Sequence, residues 1–288
     1  MNFKIVTDST ASLSAEYAIE KEISVVTLYY VLEGKTHPAF DLNDDAILRK
    51  FYDQLKNRPK LSTSCANENQ YFEEFEKAVK NNQSVLYIGF SNGVSATFNS
   101  AILARDRILE EYPNAEIYCV DTLTGSLGQR RFVQECVLMR ESGKTAKEAR
   151  DYVLNNRSKL NTYVTVDDLY YLYQGGRLSS ISYKIGSFIK IKPIIKVNEE
   201  GKLVALSKVI SRKQSLTSLI KIIENNITDD KSTTVSIAHA DCKEDAIAMA
   251  DKIKKSLNVN VEIDLLEPVI ASHTGVGSIA IFFVSNKI

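Results

Sequence analysis

Short apolar runs alternate with helix-period segments over the first part of the chain. Residues 3–8 and 23–30 read as strands, and residues 85–90 as a strand of the fully buried type. A helix is predicted over 95–111, a strand over 116–121 and a helix over 128–141. Such alternation predicts a three-layer α/β arrangement on a mostly parallel sheet. Ligands of such sheets sit beyond the carboxyl ends of the strands. Asp8-Ser9-Thr10, residues 91–95 and Asp121-Thr122 fall there.

After Thr165 the pattern changes. Gly175-Gly176-Arg177 stops a helix, and residues 181–189 are helix-periodic again. Strands at 194–197 and 203–210 flank Asn198-Glu199-Glu200-Gly201, which predicts a hairpin with glycine in the left-handed position. Helices at 213–225 and 243–257 and strands at 235–239, 259–265 and 278–284 follow. The expected fold class is therefore α/β with two domains. An N-terminal α/β domain covers 1–160, and a C-terminal α+β domain with a mixed sheet covers 161–288.

Composition narrows the partners. The chain has 288 residues, 44% of them hydrophobic, enough to bury two cores. Lys plus Arg and Asp plus Glu are 36 each, which gives no electrostatic footprint for nucleic acid or an anionic membrane surface. No apolar run approaches the roughly 18 residues of a spanning helix, so no stable membrane insertion is expected. The first residues lack the apolar stretch of a signal peptide. Cys65, Cys119, Cys136 and Cys242 are widely spaced and read as reduced thiols, so a cytoplasmic location is expected.

Standard cofactor motifs fail. The phosphate loop Gly-x-x-x-x-Gly-Lys-Ser/Thr is missing. Residues 275–280 match the dinucleotide fingerprint in letters, but too little chain follows for its helix, second strand and acid. His37, His239 and His273 form no metal-ligand spacing, so no metal and no cofactor are expected.

Three segments carry groups suited to an anion. In Gly89-Phe90-Ser91-Asn92-Gly93-Val94-Ser95-Ala96-Thr97 an apolar strand runs through a Ser/Gly turn into a helix start, where unpaired N–H groups favour a carboxylate or phosphate. Ser95 and Thr97 add hydroxyls, and Ser95 is equally a candidate helix cap. Leu61-Ser62-Thr63-Ser64-Cys65-Ala66-Asn67 precedes a helix over 69–80, with Ser64 or Asn67 as its cap. The third segment, Ile270-Ala271-Ser272-His273-Thr274-Gly275, reads as a loop before the last strand.

Taken in order, Val6-Thr7-Asp8-Ser9-Thr10, Thr63-Ser64, residues 91–97, Asp121-Thr122, Gly175-Gly176-Arg177-Leu178-Ser179, Ile191-Lys192-Pro193-Ile194-Ile195 and His273-Thr274-Gly275 resemble the DegV family of bacterial fatty-acid-binding proteins over nearly the whole chain. The resemblance implies a two-domain fold with a long-chain fatty acid buried between the domains. It implies that Thr63 and Ser95 hold the carboxylate, with Ser64, Thr97, His273 and Arg177 as further candidates. Some members serve a fatty acid kinase, and present the acid to a separate ATP-binding subunit that makes the acyl phosphate. There, the positions of Arg177 and His273 assist transfer or docking. The expected role is thus a lipid-binding subunit in phospholipid metabolism, without catalysis of its own.

Three motifs depart from the family. Its Thr-Ser-Gln-Pro-Ser is Thr63-Ser64-Cys65-Ala66-Asn67 here, its Ser-Gly-Thr is Ser95-Ala96-Thr97, and its His-Thr-Gly-Pro-Gly is His273-Thr274-Gly275-Val276-Gly277. Expected tail contacts are Ile185, Phe188, Ile189, Ile194 and Val269. Two rival readings stand beside this one. The first is a serine hydrolase using Ser95, His273 and Asp241 or Asp264, in the order Ser…Asp…His. The second is a lipid-sensing regulator without a kinase partner.

Overall fold

The computed structural model describes residues 3–40, 45–177, 191–228, 230 and 233–285. Its first half runs β1 (Lys4–Asp8), α1 (Ala15–Glu20), β2 (Ser24–Val26), β3 (Tyr29–Leu32), β4 (Lys35–Pro38), α2 (Asp45–Leu55), β5 (Leu61–Ser64), α3 (Glu68–Lys80), β6 (Val85–Gly89), α4 (Thr97–Glu111), β7 (Ile117–Asp121), α5 (Ser126–Glu141) and α6 (Ala146–Asn156). The second half continues with β8 (Leu160–Thr165), α7 (Tyr170–Gln174), β9 (Lys192–Val197), β10 (Leu203–Val209), α8 (Arg212–Asn226), β11 (Thr234–His239), α9 (Lys243–Leu257), β12 (Asn260–Leu265), α10 (Pro268–Thr274) and β13 (Ile279–Val284).

Four parallel strands in the order β2-β1-β6-β7 form the first sheet. Side chains of a strand alternate between its two faces. Ile5, Leu86 and Ile88 therefore face α5 and α6, packing on Phe132, Val133 and Val153. Val6, Val85 and Tyr87 face α3 and α4, packing on Phe75, Ala101 and Ala104. This is the three-layer arrangement expected. Local chemistry fixes helix starts: Asn67 with Gln70, Thr145 with Glu148 and Ser211 with Gln214 each make a reciprocal capping box.

The second sheet is mixed, in the order β10-β9-β8-β13-β11-β12, with β11 and β12 parallel and the other pairs antiparallel. One of its faces carries Tyr163, Ile194, Ile237, Ile281 and Phe283 against α8 and α9. The hairpin between β9 and β10 turns through 198–201 as expected, with Gly201 at φ +71°. The Gly201 carbonyl accepts a 2.8 Å hydrogen bond from Ser91 Oγ, which ties the hairpin to the loop after β6. A Cβ on Gly201 would come within 2.0 Å of that same oxygen.

Three expectations are corrected. Residues 23–30 are two strands in different sheets, β2 and β3, and not one. Between them the Leu28 N–H donates to Ser9 Oγ at 3.0 Å and its carbonyl accepts from Ala39 N at 2.8 Å, so the ladder breaks there. The antiparallel sheet β4-β3-β5 that follows was not foreseen, and it places residues 61–64 in a strand. Residues 268–274 form a helix and not a loop. Pro268 occupies its first turn, and the Glu267 carboxylate accepts from Val269 N at 2.8 Å and Ile270 N at 2.6 Å. The helix over 95–111 begins at Thr97, so Ser95 lies just before it. The helix-periodic segment 181–189 lies outside the described residues.

Two outcomes follow from this packing. Gly201→Ala forces a side chain into a left-handed backbone position and against Ser91. Urea unfolding should show a loss of about 1–3 kcal/mol, and an unchanged midpoint would contradict the close approach. Burial pushes the Glu267 carboxyl up to about 8, aided by the nearby Asp8 charge, although two backbone N–H groups oppose the shift. The folded state thus holds this proton more tightly than the unfolded chain. Its stabilising contribution is full below the ordinary carboxyl range and is lost as pH rises toward about 8. Unfolding midpoints of Glu267→Gln against the parent should show the parent losing stability more steeply across that window. Parallel profiles would refute the assignment.

Candidate functional site

Residues facing the other way on the six-stranded sheet wall a cavity. Thr162, Val164 and Val166 alternate with Tyr163, and Ile195 and Val197 with Ile194. Ala280 and Phe282 alternate with Ile279, Ile281 and Phe283. The opposite wall comes from the loop after β6, with Phe90 and Val94, and from Leu28, Leu266, Val269 and Ile270. The space between these walls is about 1010 Å³ with the solvent-open part included, and its described walls are mostly apolar. Of the expected tail contacts, Val269 lines it. Ile194 does not: strand parity turns it toward Leu219 and Ile223, and its neighbour Ile195 faces the cavity. Ile185, Phe188 and Ile189 lie outside the described residues, as do Leu178 and Ser179.

Of the expected head-group residues, Thr63, Ser64, Ser95, Arg177 and His273 line this cavity. Thr63 is carried by β5, opposite Tyr30 of β3, and His273 by the last turn of α10. Thr63 Oγ1 and His273 Nε2 are 2.8 Å apart. The other ring nitrogen, Nδ1, is buried with no hydrogen-bond partner among the described residues, and it abuts Gly175, where a Cβ would come within 2.0 Å of it. Burial, reinforced by the Arg177 charge, pushes the His273 pKa down to about 3, so the ring is neutral at ordinary pH. Arg177 lines the cavity with them. Its Nε and Nη2 each donate to the Val94 carbonyl at 3.3 Å, and Nη1 to that of Gly175 at 2.5 Å. The cation thereby holds the loop after β6 against the end of α7.

Ser95 lines the cavity and also supports its own helix. Its Oγ accepts from Thr97 N at 3.3 Å and lies 3.6 Å from Cys65 Sγ. The cap position itself is taken by Ala96, which makes no side-chain cap bond, so Ser95 is one residue short of capping the helix. Ser64 lines the cavity too, with its hydroxyl 3.4 Å from the Cys65 carbonyl. Thr97 is placed elsewhere: it is fully buried, its hydroxyl lies 3.0 Å from Tyr71 Oη, and it is not part of the cavity wall. Ala96 is exposed and outside the cavity wall.

The acids at the strand ends act as supports. Asp8 is fully buried and accepts from Tyr87 Oη at 2.8 Å and Phe90 N at 3.1 Å. Burial raises its pKa while these bonds oppose the shift. Asp121 accepts from Leu123 N at 2.7 Å and Asn92 N at 3.2 Å. Thr122 Oγ1 donates to the Gly89 carbonyl at 2.8 Å. Together they fix the two loops that border the cavity.

The hydrolase constellation is not assembled. Asp241 pairs with Lys56 at 2.7 Å and Asp264 with Arg130 at 2.6 Å, while His273 Nε2 sits on Thr63. A nucleophile needs a base within hydrogen-bond reach, itself oriented by a third group. Thr124, Ser126 and Thr162 also line the cavity and were not singled out from sequence. No local motif marks them, because tertiary packing alone brings α5 and β8 together. All four cysteines are free, and no described helix is long and apolar enough to cross a membrane.

Comparison with known proteins agrees with this architecture. A DegV domain-containing protein of Clostridium perfringens is 38% identical over 285 residues, covering 99% of this chain and 98% of the relative. One from Lactococcus lactis is 33% identical over 291 residues, covering 100% and 99%. The solved structure of a fatty acid binding DegV family protein from Streptococcus agalactiae matches with a TM-score of 0.86 at 25% identity over 100% of both chains. A DegV lipid binding protein from Thermotoga maritima matches at 0.84 and 25% over 99% of both. A stearic acid-binding protein from Eubacterium ventriosum matches at 0.86 and 24% over 98% of both, a likeness of fold. The family model described as "Uncharacterised protein, DegV family" spans residues 2–286, and the chain belongs to the DegV family.

Proposed function

We propose that this chain binds a long-chain fatty acid, with its tail in the cavity and its carboxylate at Thr63 and Ser95. In this reading the domains 1–160 and 161–288 enclose the lipid between them. The observation that carries the reading is a mostly apolar cavity ending in a cluster of hydroxyls, a neutral imidazole and a guanidinium. The lipid- and fatty-acid-binding relatives of the same fold support it. A carboxylate placed there meets hydroxyl donors and the field of Arg177, and nearby His273 adds no second charge.

Magnitudes divide the labour. Burial of about fourteen methylenes at ~0.8 kcal/mol each gives roughly 11 kcal/mol before ordering costs. A hydrogen bond to the charged head adds about 1.5–3 kcal/mol. The tail then sets affinity, and the head sets orientation and ligand class. We infer that the bound acid is offered to a separate ATP-binding fatty acid kinase subunit, since this sequence has no phosphate loop of its own. Arg177 and His273 are then placed to assist transfer or docking.

Organic extraction of the purified protein, followed by lipid mass spectrometry, should release a long-chain fatty acid. Absence of any such lipid, together with no uptake of added oleic acid, would sink the reading. Thr63→Ala and Ser95→Ala should each weaken binding of oleic acid by about ten- to a hundredfold, with little effect on its methyl ester. Equal affinity of parent and variants for the free acid would displace the carboxylate from this end. Incubation with ATP, oleic acid and a fatty acid kinase catalytic subunit should yield acyl phosphate, trapped as the hydroxamate. Product formed without that subunit would overturn the division of roles.

A further inference from the structure

The cavity has a second polar region, at the other end of the β8 wall. Thr162 and Val166 face the cavity four residues apart, a span of about 13 Å at the usual strand rise. Beyond Val166 the chain enters α7, which packs on α10 beside His273: a Cβ on Gly175 or Gly275 would strike His273 or Tyr171. The Val166 end is therefore the carboxylate end. At the Thr162 end, Thr124 and Ser126 at the start of α5 close the wall beside Phe282.

These three hydroxyls are almost completely buried, with exposures of 4% for Thr124, 2% for Ser126 and 5% for Thr162. Each has a partner among the described residues, and each hydroxyl oxygen still keeps room for a further hydrogen bond. Thr124 Oγ1 and Thr162 Oγ1 are 2.9 Å apart, so one of their two hydrogens is placed between them. The other has, among the described residues, the Gly125 carbonyl at 3.5 Å from Thr124. Among the described residues, Ser126 Oγ has Ser12 Oγ as its partner, at 3.4 Å. Buried hydroxyls normally sit at about 2.7–2.8 Å from a partner. Each retains donor or acceptor capacity. An apolar ligand surface offers them nothing. A neutral polar group on the ligand would complete them.

Charge separates the two ends. Arg177 supplies the cation at the carboxylate end, and the three hydroxyls supply none. The second region thus suits an uncharged oxygen and not a second carboxylate. We propose that Thr124, Ser126 and Thr162 form a specificity site for a hydroxyl or keto oxygen on the chain of the fatty acid, so that the protein accepts oxygenated long-chain acids. This rests on the fatty-acid reading above and names the substrate class for the same cavity. A cavity built only for hydrocarbon would penalise such an oxygen, because it would be buried without a partner.

Two matched pairs of probes test it by equilibrium binding: oleic against ricinoleic acid, with a mid-chain hydroxyl, and palmitic against ω-hydroxypalmitic acid, with a terminal one. At least one hydroxylated acid should bind as tightly as its parent or more tightly. The double substitution Thr124→Val/Thr162→Val should lower that hydroxylated-to-plain affinity ratio by about tenfold. Removing both partners of the pair leaves no orphaned hydroxyl between them, which favours a folded variant. Ser126→Ala, read the same way, serves if the double variant does not fold. The inference is overturned if both hydroxylated acids bind about tenfold more weakly than their parents, a result that needs no variant. It is equally overturned if the ratio stays fixed in a folded variant, which would leave the hydroxyls as a structural tie between α5 and β8. Plain acids bound with hydroxylated ones rejected overturns this inference alone. Failure to bind either plain acid overturns the fatty-acid reading as well.

Discussion

Strands β8, β9 and β13 are apolar on both sides, and that constraint organises the molecule. Tyr163, Ile194, Ile281 and Phe283 require cover on one face, and α8 and α9 provide it. Val164, Ile195, Ala280 and Phe282 on the other face cannot be left to water, at about 25 cal/mol for each Å² of apolar surface. The loops beyond the parallel sheet, together with α10, close over that second face. They enclose a cavity there and do not pack it solid. Ser91 on the Gly201 carbonyl and Arg177 on the Val94 carbonyl pin the covering loop at two points. The supports under that loop, Asp8 and Asp121, spend their carboxylates on backbone N–H groups.

The same geometry sorts the polar groups. Helix α10 starts on a buried acid, Glu267, and ends on a buried, neutral imidazole, His273. Neither group brings a full charge cheaply into the interior, because burial drives each toward its uncharged form. The guanidinium of Arg177 bonds to two carbonyls beside Thr63 and His273, a charge held in place among the described residues. In the proposed reading, a ligand carboxylate there meets this cation and several hydroxyls of the described residues, with the apolar wall behind. That division suits a carrier that grips mainly through the tail and orients through the head.

Much of this was legible in the chain. The alternation of buried strands with amphipathic helices specified the parallel sheet and its two helical layers, since period two and period 3.6 are local properties. The left-handed glycine of the 198–201 turn was legible for the same reason. Some signals were present and unread. Thr145 with Glu148 announces α6, and Glu267-Pro268 announces α10. Others were absent. Residues 23–30 form one apolar run, and nothing in it shows that the chain leaves one sheet for another at Leu28. In Lys192–Val197 both Ile194 and Ile195 are fully buried, so hydrophobicity could not tell the helix-facing side from the cavity-facing side.

The sequence by itself determined most of the elements, the family and the residues with chemistry at their disposal, because helix and strand periods, caps and turns act over a few residues. The tertiary structure decided which of those residues share a site. It set Thr63 on His273, brought Ser95 to Cys65, sent Thr97 away to Tyr71 and placed Thr124 on Thr162. Each of these contacts joins segments distant in the chain. Strand parity and the packing of layers fix them, and neither is written in any single segment.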